Sequence, residues 1–138
     1  MSQARIWQWS FYALSIVFVV TAALNLLQVR AGFLTNHAAD LVVPAWLYIA
    51  FRGHAPGGRR GLIAAVIGRT PEVAAMTLFI ASTFTEWTQL YWPQGIFRGT
   101  FDPVDIVAFG VGLGACYAAE RMLMRRSSSK RKTHAPAA

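Results

Sequence analysis

The sequence predicts an all-α, polytopic membrane protein built as a four-transmembrane-helix bundle. Three observations carry this reading. Hydrophobic residues make up 55% of the 138 residues and charged ones only 14%. Mean hydropathy is +0.40, well above that of ordinary water-soluble domains. The charges also lie in gaps and at the ends, between long uncharged runs.

A first helix is expected over residues 6–27. This run of roughly 22 uncharged residues would rise about 33 Å, enough to cross a hydrocarbon core. Arg5 ahead of the run resembles a secretion signal, but the run is longer than an ordinary signal core, and Trp7, Trp9 and Tyr12 read as interfacial anchors. A second helix, residues 38–51, is short, contains Asp40 and Pro44, and is flanked by His37 and Arg52. Its outer end must therefore meet protein or water, and Pro44 removes one backbone donor.

Arg52 to Arg69 is basic and glycine-rich, and the apolar stretch Leu62 to Ile67 within it is too short to cross. It reads as a loop or an interfacial turn. Thr70-Pro71-Glu72 has the chemistry of a helix start: a capping hydroxyl, a proline in the first turn and an acid at the positive end of the dipole. The third helix is expected over 71–92 and ends before Pro93 and Gly95, and the fourth over 103–124. Residues 127–138 are expected to be a disordered basic cytoplasmic tail following a single membrane domain, residues 1–126.

The formal net charge of +7 would suggest a nucleic-acid partner in a soluble protein. Here it marks topology instead. Four spans put Arg5, Arg52, Arg59, Arg60, Arg69 and the Arg121 to Lys132 group on one side, leaving Arg30 and Arg98 opposite. The positive-inside rule then assigns both termini of a multi-pass membrane protein to the cytoplasm. The single cysteine, Cys116, excludes an internal disulfide and any multi-cysteine metal site, and reads as a packing residue.

Of the six acids, Glu72 and Glu120 fall at cytoplasmic helix ends, where they need no special account. Asp40, Glu86, Asp102 and Asp105 gather at the outer boundary with Arg30, Arg98 and His37. Ionisable groups at membrane depth are unfavourable unless paired or hydrated, so their convergence marks a candidate ligand site. Ser82, Glu86 and Gln89 share one stripe of the third helix, and Asp102, Asp105, Phe109, Gly112 and Cys116 share one of the fourth. Facing stripes would let Arg98 reach back over Glu86 and Asp105 in one network. His37 with the carboxylates shows no ligand spacing tight enough to signal a metal, so no metal or other cofactor is expected.

The elements Glu86-x-x-Gln89, Pro93-x-Gly95, Arg98 and Asp105, followed by a helix with Gly110, Gly112 and Gly114, resemble the carboxyl-terminal signature of the VanZ-like family of small bacterial membrane proteins. Phe109 stands where that family usually carries an asparagine, a departure that the resemblance reads as a sub-branch rather than the type member. The family's name-giving member is associated with low-level teicoplanin resistance. The resemblance thus implies a helical membrane fold and a role at the cell envelope.

For the outer cluster of Asp40, Glu86, Gln89, Arg98, Asp102 and Asp105, a buried network that only fixes helix packing stands against binding of an envelope lipid or cell-wall intermediate, and against proton or cation handling. Gly110-x-x-x-Gly114, extended by Ala118, allows close helix approach, within the chain or in a homodimer. Membrane lipids are the expected partners, with anionic lipid a candidate for the basic tail. An enzyme is unsupported: carboxylates without a nucleophile, a metal or a phosphate loop are a poor catalytic signature. The leading function is binding or protecting a cell-envelope component. The alternatives are a small ion- or proton-coupled transporter and a structural or accessory subunit.

Overall fold

Bounded by caps, glycines and prolines, the apolar runs fold into five helices and no strand among the described residues. The computed structural model describes residues 2–29, 32, 35, 37–58, 61–94 and 100–133, with the backbone alone for 127–133. The helices are α1 (Gln3–Leu26), α2 (Ala38–Phe51), α3 (Gly61–Ile67), α4 (Pro71–Tyr91) and α5 (Pro103–Thr133).

The start of α4 is the one its sequence encodes. Thr70 is extended, its hydroxyl accepts from the Val73 backbone N–H at 3.2 Å, and Pro71 opens the helix. Two stretches differ from the expectation. Leu62–Ile67 is helical, not a loop or turn: Gly61, at φ +82°, sets its start, and Ala64 and Ala65 favour the helix. The backbone of α5 also runs on to Thr133, beyond residue 126 where the unstructured tail was expected. Nothing in Arg125 to Lys132 breaks a helix, since neither glycine nor proline occurs there.

α2 is the hub and packs on α5, α1 and α4, while α4 also packs on α5. Tyr48, Ala74, Leu78 and Leu113 form a buried core among α2, α4 and α5. At Gly112 the backbone of α5 comes against that of α2, where an added Cβ would lie 2.1 Å from the Leu41 carbonyl oxygen. Close approach thus falls at Gly112. Gly110 has only ordinary room beside Phe79, Gly114 meets nothing within 4 Å, and Gly114 and Ala118 are exposed. α1 leans on α2 through Phe11 stacked on Trp46 at 5.1 Å and a Trp46 Nε1 hydrogen bond to Ser15 Oγ at 2.8 Å. Trp9 and Tyr12 are exposed, but Trp7 is buried, stacked on His54 at 4.8 Å, and so does not project as an interfacial anchor.

α1 and the Pro103–Arg126 part of α5 are long and apolar enough to cross a membrane. α3 and α4 qualify as a third candidate only when taken together, and they are bent by 110°. α2, with 14 residues, is too short to qualify by itself. It would rise only about 21 Å against a hydrocarbon core of about 30 Å. Length and composition therefore give two to three spans.

Candidate functional site

The amino-terminal turns of α2 and α5 meet the carboxyl-terminal turns of α4, which gathers five of the expected site residues at one end of the bundle. Glu86, only 4% exposed, lies one turn before Gln89, whose Nε2 donates to Glu86 Oε1 at 2.9 Å. Its other oxygen accepts from the Asp102 backbone N–H at 3.4 Å, which ties the end of α4 to the start of α5. Asp102 in turn caps α5, its Oδ1 accepting from the Val104 backbone N–H at 2.9 Å.

Asp105 pairs with His37, not Glu86: His37 Nδ1 lies 2.7 Å from Asp105 Oδ1. That hydrogen bond raises the His37 pKa above its ordinary 6.5, with the charges of Asp105, Asp102 and Asp40 acting in the same direction. The expected Glu86, Asp105 and Arg98 network thus divides, in its described part, into a Glu86–Gln89–Asp102 group and a His37–Asp105 pair. Arg98 and Arg30 lie outside the described residues.

Between α2 and α4 runs a groove of about 480 Å³. Asp40, Ser82, Thr85, Glu86 and Gln89 supply its polar lining, and Val43, Pro44, Leu47, Leu78, Ala81 and Phe109 its apolar lining. Phe109 belongs to the apolar wall. Along α2 and α4 the polar residues cluster toward one end and the apolar ones toward the core, so the groove is amphipathic along its length. Beside it, ligand atoms of His37, Asp102 and Asp105 all lie within 4.8 Å of one another, a set whose donor types suit a divalent cation. No sequence spacing signals that set, because His37 and the two aspartates come from opposite halves of the chain.

At the opposite end lies a second polar cluster, which the sequence reading passed over. Glu120, only 2% exposed, accepts from Tyr48 Oη at 2.6 Å and from Arg52 Nε at 3.0 Å, with Arg52 Nη2 on its other oxygen. Arg52 Nη1 donates to the Gly68 carbonyl, which joins the turn after α3 to the same carboxylate. His54 Nε2 lies 3.2 Å from Glu120 Oε1. Trp7 closes the cluster by stacking on His54. The one local signal was Tyr48 and Arg52 at helical i, i+4 spacing; that Glu120 faces them required the fold.

Fold and site together define an all-helical protein with two to three helices fit to cross a membrane, and with polar clusters at both ends of an apolar core. No family model matches the chain, and no curated protein or solved structure matches it.

Proposed function

We propose that this chain is a VanZ-like protein of the bacterial cytoplasmic membrane that holds an amphipathic cell-envelope component in the groove between α2 and α4. In this reading α1, α2, α4 and α5 all cross, α2 at a locally thinned or protein-covered place, with both termini cytoplasmic and the groove opening outward. The carrying observation is the groove's lining: Asp40, Glu86 and Gln89 near one end and Leu47, Leu78 and Phe109 toward the core. A headgroup would meet the polar end, and its hydrocarbon the apolar one. The VanZ-like resemblance, carried by Glu86, Gln89, Arg98 and Asp105, supports an envelope role.

A transporter needs a polar path through the bundle. The core of Tyr48, Ala74, Leu78 and Leu113 lies between the outer carboxylates and the Glu120 cluster, which favours binding over transport.

The test is native mass spectrometry of protein extracted with its lipids, comparing the wild type with Glu86→Gln combined with Asp40→Asn. The expected result is one retained envelope amphiphile in the wild type, lost from a variant whose melting temperature is unchanged. Equal lipid retention by both proteins would overturn the binding reading and leave a packing role.

A further inference from the structure

α3 presents an apolar face that meets nothing among the described residues. Leu62 is 81% exposed, Ile63 70% and Val66 60%, whereas Ala64 is buried against the bundle. Leu62, Ile63 and Val66 stand at i, i+1 and i+4, which puts them on one arc of the helix. An exposed apolar arc of this kind needs a partner.

The direction of the α3 axis is fixed. Gly68, just past α3, packs so closely on the end of α2 that a Cβ there would lie 1.7 Å from the Phe51 carbonyl oxygen. The Gly68 carbonyl accepts from Arg52, which Glu120 holds in place. α3 is therefore clamped at 110° to α4, close to perpendicular. If α4 crosses the bilayer, α3 lies along its surface, and seven residues rise only about 10 Å, too little to enter far.

Charge identifies the surface. The exposed Arg5, Arg69, Arg125 and Arg126 belong to the same end of the bundle as α3, and Arg59 and Arg60 immediately precede it in sequence. The exposed apolar faces of α1 and α4, with Ile16, Val19, Ile80 and Phe84, already require hydrocarbon around the bundle. A short apolar helix with arginines around it, next to a lipid-facing surface, matches the headgroup region of an anionic leaflet.

We infer that α3 is an in-plane docking element that seats Leu62, Ile63 and Val66 in the membrane surface, with anionic phospholipid as the partner of the surrounding arginines. This rests on α4 crossing the bilayer, as proposed above, and not on what the groove binds.

The experiment uses the full chain with Cys116→Ala and a single new cysteine, Ile63→Cys or Ala65→Cys on α3 or Ile80→Cys midway along α4, each carrying an environment-sensitive fluorophore. The proteins are reconstituted into phosphatidylcholine vesicles with and without phosphatidylglycerol, and quenched by aqueous iodide or by lipids brominated at different depths. The α3 probes should be quenched best by shallow bromines and be shielded from iodide more strongly when phosphatidylglycerol is present. Adding Arg69→Gln should raise the phosphatidylglycerol fraction needed for that shielding about fivefold. The Ile80 probe should be quenched best by deep bromines. Iodide access at both α3 positions that ignores lipid composition, with Ile80 deep, would overturn the docking inference alone. An Ile80 probe open to iodide would overturn the spanning reading beneath it. Melting temperatures of the labelled proteins, compared with the unlabelled parent, distinguish displacement of α3 from unfolding.

Discussion

Tyr48 and Glu120, on α2 and α5, share a 2.6 Å hydrogen bond in which the most buried carboxylate among the described residues accepts the tyrosine hydroxyl. Arg52, one turn after Tyr48, completes the same carboxylate with a two-point contact, so α2 holds α5 through one charged group. Removing Arg52 alone would leave that buried carboxylate with only the Tyr48 hydroxyl and His54 against it. Arg52→Ala should therefore destabilise the fold by about 3–5 kcal/mol. Arg52→Leu with Glu120→Leu should recover most of that loss, since no charge is then left behind. Unfolding in a graded detergent mixture measures both, and equal stability of Arg52→Ala and wild type would show that the pair is exchanged for water.

Gly112 and Gly114 stand two residues apart on α5 with opposite surroundings. A methyl group at Gly112 would strike the Leu41 carbonyl at 2.1 Å, backbone against backbone, whereas one at Gly114 meets nothing within 4 Å. Gly112→Ala should push α5 from α2 and destabilise by about 1–3 kcal/mol. Gly114→Ala should be neutral or stabilising by up to about 1 kcal/mol, through helix propensity alone. Melting of the two variants side by side checks the contrast. A loss confined to Gly114→Ala would place the close contact on the exposed face, between two copies.

His37 gives the site at the start of α2 a pH dependence. Its pKa is raised above 6.5 by the hydrogen bond to Asp105, so the folded state binds the proton more tightly than the unfolded one. The resulting stabilisation is fully present below pH 6.5 and is lost as pH rises through the raised value. His37→Gln should accordingly lower the melting temperature most in acid and progressively less in alkali. A constant difference between variant and wild type across that range would show that the pair carries no linked proton.

Topology can be read with reporter fusions. Fusions after Arg52 and after Met124 should both report the cytoplasm, and one after Pro93 the outside. A cytoplasmic signal after Pro93 would mean that α4 does not cross and that α3 and α4 form a re-entrant pair.

Helical class, the extents of α2 and α4, and the Thr70 cap were legible in the sequence because they depend on neighbours along the chain: apolar runs, charges that end them, and a hydroxyl three residues from its partner N–H. The gathering of Asp40, Glu86, Gln89, Asp102 and Asp105 at one end was legible too, from helix order and depth. Tertiary structure alone decided which of them touch. Rotation of α5 about its axis turned Asp105 to His37, and the short link from α4 brought the Asp102 backbone N–H to Glu86. The same rotation buried Glu120 under Tyr48 and Arg52, and it put Gly112, not Gly114, against α2. The rotation of one helix against another is set by the packing of whole faces. A sequence that encodes each face locally carries no direct record of which residue its partner will meet.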